Sequence, residues 1–199
     1  MRGFRHHLDR VTSNPAILTA FDQVDRRHFL PSAQRSSASL DQPLPIGHGQ
    51  TNSQPSTVAG MLDMLEVEAG HRVLDVGSGS GWTTALLGHL VGPKGSVIGV
   101  ELVAELAQQG AENLATYDLP WASIIEATPG VLGDPANAPF DRILVSAGAK
   151  TLPDELVDQL TPTGLMVVPV AGRMTIVRRH PGQPDEITHH GQYRFVPLL

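Results

Sequence analysis

Residues 73–81 read Val73-Leu74-Asp75-Val76-Gly77-Ser78-Gly79-Ser80-Gly81, and the fold is decided there. Val73, Leu74 and Val76 make a short apolar run, as expected of a strand covered on both faces. Glycines at positions 77, 79 and 81 let the backbone turn sharply and pass close to a ligand. From Trp82 the sequence Thr83-Thr84-Ala85-Leu86-Leu87-Gly88-His89-Leu90-Val91 suits a helix. Strand, glycine turn and helix together present backbone N–H groups and a helix N-terminus to a ligand. A purely structural turn in an α/β domain is the plainer reading of the same residues.

The next strand candidate, 96–100, ends at Glu101. An acidic residue about 20 positions past the turn is placed to hold a ribose diol, because a carboxylate accepts hydrogen bonds from both hydroxyls. The core therefore reads as a βαβ unit for a nucleoside-containing cofactor. The spacing is G-x-G-x-G, and Trp82 stands where the third glycine of the dinucleotide fingerprint would fall. A bulky residue there opposes the close helix–strand packing of that fingerprint. This disfavours an NAD-dependent oxidoreductase, and no residue set resembles a hydride-transfer site. With Asp75 just before it, the turn resembles the first motif of S-adenosylmethionine-dependent methyltransferases. Their cofactor carries no phosphate, so the loop only has to pass close to its amino-acid tail.

The chain has 199 residues, 41% hydrophobic and 17% charged, with a formal net charge of -6. That suffices for one α/β domain with a full core and gives no sign of a nucleic-acid partner. The densest basic spots, Arg26-Arg27-His28 and Arg178-Arg179-His180, read as solvated surface. There is no cysteine, which excludes disulfides and thiol catalysis. No apolar run reaches the length of a membrane span and the N-terminus lacks an apolar signal core, so a cytoplasmic protein is expected. Nine histidines are present, none in a metal-binding pattern, and His189 and His190 on a strand would face opposite ways. No metal is expected.

Asn14-Pro15 opens a helix over 16–23, with Asn14 as cap. Residues 31–45 form a long connection without periodicity, expected to cover a site in part. The stretch 43–55, Pro-Leu-Pro-Ile-Gly-His-Gly-Gln-Thr-Asn-Ser-Gln-Pro, is too rich in Gly and Pro for a regular element. A helix over 56–65 follows. Ser53 reads as its N-cap, and also as a hydroxyl at a helix N-terminus where an anion is favoured. Further on come a helix over 103–114, a strand over 123–125 and a loop over 127–139. A strand over 142–146, a helix from 152 through Leu160 stopped by Thr161-Pro162-Thr163-Gly164, and a strand over 165–170 complete the core. Alternating strands and helices indicate a doubly wound, mostly parallel α/β sheet. Strands over 175–179 and 193–196 have no helix between them and are expected to pair as an antiparallel C-terminal extension.

Four stretches read together carry a more specific resemblance. Residues 43–55, the turn 73–81, Ala138-Pro139-Phe140-Asp141-Arg142-Ile143-Leu144-Val145-Ser146-Ala147, and Tyr193-Arg194-Phe195-Val196-Pro197-Leu198 are similar, in order and spacing, to segments of protein-L-isoaspartate O-methyltransferases. The likeness runs from about residue 12 onward. It implies a Rossmann-like methyltransferase domain over 1–199, with N-terminal helices and substrate loop (1–65), cofactor core (66–170) and C-terminal strands (171–199). It implies methyl transfer from S-adenosylmethionine, leaving S-adenosylhomocysteine, to the carboxylate of isoaspartyl residues in proteins or peptides. The resulting ester closes to a succinimide, which hydrolyses partly to normal aspartate. Ser53 would contact the substrate carboxylate, with Thr51 beside it. Asp75, Gly77, Ser78, Gly79, Gly81, Glu101, Leu102 and Gly130 would serve the cofactor. Ile46, Gln50, Val196, Pro197 and Leu198 would form the substrate groove. A monomer without nucleic-acid or membrane partners is expected.

Three positions depart from the family pattern. Pro129 stands where an aspartate usually reaches the adenine amino group, and proline has no side-chain acceptor and no N–H. Asn52 replaces an apolar residue, and Ser39 replaces an aromatic. They leave open a variant that methylates an aspartate in a dedicated peptide, or a catalytically weak relative that serves as an interaction module.

Overall fold

The computed structural model describes residues 4–198. After a single helical turn α1 (Arg5–Leu8), the helix α2 (Pro15–Gln23) starts at Asn14, whose side chain accepts from the Ala16 N–H. A short antiparallel hairpin follows, β1 (Leu44–Gly47) and β2 (Gln50–Asn52), where Gly and Pro content argued against any regular element. The residues that spoil long strands are the ones a tight turn needs: Gly47, His48 and Gly49 all take positive φ. α3 (Pro55–Leu65) comes next.

The main sheet then builds in the alternating order read from the sequence. β3 (Arg72–Val76), α4 (Trp82–Val91), β4 (Ser96–Glu101), α5 (Ala104–Leu114), β5 (Ala122–Glu126) and β6 (Phe140–Val145) follow one another. α6 (Asp154–Val157), β7 (Leu160–Val170), β8 (Arg173–Arg178) and β9 (Glu186–His190) complete it. The strand order is β5-β4-β3-β6-β7-β8-β9, parallel from β5 to β7 and antiparallel beyond. Successive side chains of the central strands enter opposite cores. Leu144, Leu165 and Val167 pack against α2, α3 and α4, whereas Ile143, Val145, Met166 and Val168 pack against Leu156 on the other face. Burial on both faces is why these strands read as continuous apolar runs. No helix among the described residues is long and apolar enough to cross a membrane.

Two sequence expectations fail near the C-terminus. The helix after Pro153 is a single turn, and Thr161-Pro162-Thr163-Gly164 lies inside β7 instead of ending a helix. Leu160 pairs with Phe140 and Leu165 with Arg142, so these four residues form an irregularity in the ladder. A bulge is where a sheet tolerates proline and glycine. The strand beside β8 is Glu186–His190, not 193–196. It lies at the sheet edge with most side chains exposed, so it carries no apolar alternation for a reader to find. Residues 193–198 turn back over the sheet. Tyr193 N–H donates to Gly172 O, Gly148 N–H to Val196 O at 2.7 Å, and Leu198 N–H to Gly148 O at 2.9 Å.

Candidate active site

The chain runs outward from β3 through β4 to β5, then jumps back to β6 on the other side of β3. At such a reversal the loops leaving neighbouring strands diverge and open a crevice at the carboxyl ends. A cavity of about 760 Å³ occupies that crevice. Its walls are the segments after β3, β4, β5 and β6, the end of the β1–β2 hairpin, and residues 196–198.

The floor is the glycine turn. Gly81 has a φ of +92°, and a Cβ there would lie 2.8 Å from both Gly110 O and Ile124 Cδ1. A Cβ on Gly110 would lie 2.9 Å from Gly79 O. Turn and helix α5 therefore touch backbone to backbone, an approach that only paired glycines permit. Glu101, at the end of β4, is 7% exposed. Its carboxylate accepts from Gly79 N–H at 2.8 Å and Val103 N–H at 3.0 Å, tying the turn to the start of α5. Two N–H donors leave further lone pairs on an ionised carboxylate for a ligand. Asp75 lies beneath the turn, fully buried. Its Oδ2 accepts from Thr84 Oγ1 at 2.7 Å, and Oδ1 has no partner among the described residues. Burial pushes its carboxyl up to about 7; the Thr84 hydrogen bond opposes that rise and the nearby Glu101 charge adds to it. Ser78 Oγ, on the cavity wall, is likewise buried without a partner among the described residues.

The adjoining wall is the hairpin segment, which abuts the turn through Asn52 and Ser80, and an unexpected residue holds it. Arg26 is 0% exposed, so the reading of Arg26-Arg27-His28 as solvated surface fails at its first member. Its guanidinium lies 5.1 Å from the Trp82 ring centroid. It donates to the carbonyls of Leu40 (3.0 Å), Gln42 (2.9 Å), Asn52 (3.1 Å) and Ser53 (2.8 Å), and to Asn52 Oδ1 (2.8 Å). A planar fork of N–H donors can gather several carbonyls in this way, and lysine's point charge cannot. Burial lowers the Arg26 pKa to about 10, and the Asp41 charge works against that fall.

The N-cap of α3 is Gln54, not Ser53, and it has no side-chain cap bond. Asp41 does that work from a distance. Its Oδ1 accepts from Ser56 N–H at 2.8 Å and its Oδ2 from Gln54 Nε2 at 3.0 Å. Relieved of capping, Ser53 lies on the cavity wall. The connection 31–45 contributes no lining residue. Leu30, Ala38 and Leu44 instead form a small core with Ile46 and Leu106 behind the hairpin.

Of the residues named from the sequence, Ile46, Gln50, Thr51, Ser53, Gly77, Ser78, Gly79, Glu101, Leu102, Gly130, Val196, Pro197 and Leu198 border this one cavity. Asp75 and Gly81 do not; they support the turn from below and behind. Pro129 borders it as well, with Thr128 beside it. Lys150, which no motif marked, and Ser146, in the stretch 138–147 but given no role there, are also on its wall. Among the described residues no group of three or more His, Asp or Glu side chains converges to hold a metal ion.

A family model described as protein-L-isoaspartate(D-aspartate) O-methyltransferase matches residues 5–199. The chain belongs to this family. The protein-L-isoaspartate O-methyltransferase of Methanopyrus kandleri is 41% identical over 196 residues, covering 96% of this chain and 86% of its own. A solved protein-L-isoaspartate O-methyltransferase superposes with a TM-score of 0.88 at 24% identity, over 98% of this chain and 64% of that longer one. A Plasmodium falciparum chain assigned to the same activity, solved in complex with S-adenosyl-L-homocysteine, superposes with a TM-score of 0.84 at 24% identity, over 100% and 99%. At such identities the two structures speak for the fold, and the sequence matches speak for the family. Within this family member, Arg26 and Gly110 are the residues that motif reading misses. Arg26 sits in a charged tripeptide, and Gly110 is a mid-helix glycine whose only sequence signal is its local cost to the helix.

Proposed function

We propose that this chain is a protein-L-isoaspartate O-methyltransferase, transferring a methyl group from S-adenosylmethionine to the free carboxylate of isoaspartyl residues in proteins and peptides. The ester so formed is the entry to repair through a succinimide. The observation that carries the reading is that Ser53 and Thr51 share one cavity with the glycine turn and Glu101 in a chain that matches the family model from residue 5 to 199.

The cavity suits the cofactor. Its volume is that of a ligand-sized cleft, a buried Ser78 hydroxyl on its wall has no partner among the described residues, and Glu101 keeps free lone pairs. When bound, S-adenosylmethionine supplies a methyl already activated by a positively charged sulfur. We assign Glu101 to the ribose hydroxyls and Gly77, Ser78 and Gly79 to the amino-acid end. Thr128 and the backbone of 127–133 are the polar groups beside Pro129 that remain for the adenine.

The chain's own residues then have a limited task. A carboxylate has a reference pKa of about 4 and is ionised at neutral pH, so no general base is needed. Ser53 donates its hydroxyl to one carboxylate oxygen, leaving the other to attack in line. Thr51 flanks it, and Ile46, Val196, Pro197 and Leu198 keep water from the attacking oxygen. Positioning and partial desolvation account for the rate. All these groups come from one chain, so a monomer suffices.

Methyl incorporation from labelled S-adenosylmethionine tests this on an isoaspartyl peptide and its ordinary aspartyl counterpart. Esterification of the isoaspartyl peptide alone is expected. Esterification of the aspartyl peptide alone would replace repair with the dedicated-peptide reading. Inactivity on both, with no S-adenosylhomocysteine binding by calorimetry, would leave an interaction module.

A further inference from the structure

Asn52 stands at a junction that the reaction as described does not use. It is 5% exposed, and both ends of its side-chain amide are engaged. Oδ1 accepts from Arg26 Nε at 2.8 Å, and Nδ2 donates to Ser80 Oγ at 3.3 Å. Ser80 is itself 3% exposed and lies in the glycine turn. Its carbonyl accepts from Asn113 Nδ2 at 2.9 Å, which ties the turn to α5. On its other side the same Arg26 grips Asn52 O and Ser53 O. A continuous chain of polar contacts, buried at Arg26, Asn52 and Ser80 and half-buried at its two ends, therefore runs Ser53–Arg26–Asn52–Ser80–Asn113. It joins the wall assigned to the substrate to the turn assigned to the cofactor. Thr51, Asn52, Ser53 and Ser80 all border the cavity, so the chain passes along its wall between the two ends.

We propose that Asn52 is a positioning residue, bracing the Thr51–Ser53 segment against the cofactor turn through Arg26 and Ser80 so that the substrate carboxylate and the methyl donor are held in register. The proposal rests on the functional reading above for its kinetic consequence but not for its physical content. An amide suits the junction because it accepts from the guanidinium and donates to the hydroxyl at once. A valine of similar size would leave Arg26 Nε and Ser80 Oγ without each other's link. In a dry site such a network is worth more than its separate bonds, and only a cycle of paired variants apportions it.

The decisive experiment is amide hydrogen exchange on the ligand-free protein, with Ser80→Ala as the mild variant because it leaves every Arg26 contact in place. Bracing predicts that Ser80→Ala speeds exchange in the adjoining segment, residues 50–53, by about fivefold, the equivalent of one neutral hydrogen bond. Asn52→Val should speed exchange both there and in 78–81. Asn52→Asp should restore protection, since a carboxylate accepts from Arg26 and from the Ser80 O–H. In methylation assays Ser80→Ala should lower kcat on the isoaspartyl peptide and have no further effect in an Asn52→Val background. Exchange changes confined to each substituted residue's own segment, 78–81 for Ser80→Ala and 50–53 for Asn52→Val, or kinetic losses that multiply in the double variant, would overturn the proposal. Failure of the wild-type protein to methylate any peptide would sink the functional reading alone, because the exchange arm needs no ligand.

Discussion

The two walls of the cavity are built by different means. The wall we assign to the cofactor is a product of regular structure. Short continuous apolar runs set β3, β4 and β6 between two cores, and the turn at their ends follows from three glycines. The wall we assign to the substrate has little regular structure. Residues 38–53 contain one short hairpin and are held by one buried guanidinium, one remote carboxylate and a small apolar cluster. A wall made of ladders tolerates many sequences, because backbone bonds do not depend on side-chain identity. A wall made of side-chain-to-carbonyl bonds depends on single residues.

The sharpest way to break this contrast is Arg26→Met. It would leave the carbonyls of Leu40, Gln42 and Ser53 without their donor. We expect a loss of about 3 kcal/mol or more, seen as a fall in Tm of roughly 10 °C for a chain of this length. Exchange should rise first in 38–53 and not in β3 or β6. A variant that melts with the wild type would mean that the hairpin wall stands without its arginine.

Ser53→Ala separates chemistry from scaffolding on that wall. Because Gln54, not Ser53, occupies the cap position, Tm should hold. Loss of a hydrogen bond to a charged carboxylate should lower kcat/KM about 10- to 100-fold. A fall in Tm with unchanged kinetics would return Ser53 to a structural role. Asp41→Ala should do the reverse. It removes the acceptor of Ser56 N–H and should cost about 1 to 2 kcal/mol by thermal melt, with kcat altered only through the fraction folded.

The wall assigned to the cofactor has its own weak point. Burial raises the Asp75 carboxyl to about 7 from an ordinary value of 3.8. The folded state therefore holds a proton that the unfolded chain releases between those values. The associated stability is present in full below about pH 4 and is lost as pH rises through about 7. Asp75→Asn should flatten that part of the stability–pH curve, measured by urea unfolding at a series of pH values. An unchanged slope would show that Asp75 is ionised in the folded chain.

The same contrast governs what a reader of the bare sequence can find. The glycine turn, Glu101 and the central strands announce themselves because period and spacing are local properties of the chain. Arg26 does not. Its neighbour Arg27 is solvated, the two look alike in a composition window, and only the three-dimensional gathering of carbonyls around Arg26 distinguishes them. Asp41 caps a helix that begins 14 residues later at Pro55, beyond the reach of any capping pattern. Residues 193–196 look like a strand because Tyr193, Phe195 and Val196 are bulky. Tyr193 and Phe195 pack beside the core, Val196 borders the cavity, and Gly172 and Gly148 supply the backbone partners. The Pro-Ile-Gly and Gln-Thr stretch was legible as a family likeness before it was legible as a hairpin, since resemblance records residues whose physical reason lies elsewhere in the chain.

Trp82 sits where these two walls meet. It is 1% exposed, with Phe21 edge-on at 5.5 Å, Arg26 over its ring, and an indole N–H that has no partner among the described residues. It also borders the cavity, whereas the chain's other tryptophan, Trp121, does not and bonds to Gly88 O. An indole in so dry a setting emits at short wavelength, and a ligand arriving beside it changes that emission. In a Trp121→Phe background the molecule carries a single optical probe at the joint between its halves. Occupancy of the crevice can then be read by light, without label or coupled assay.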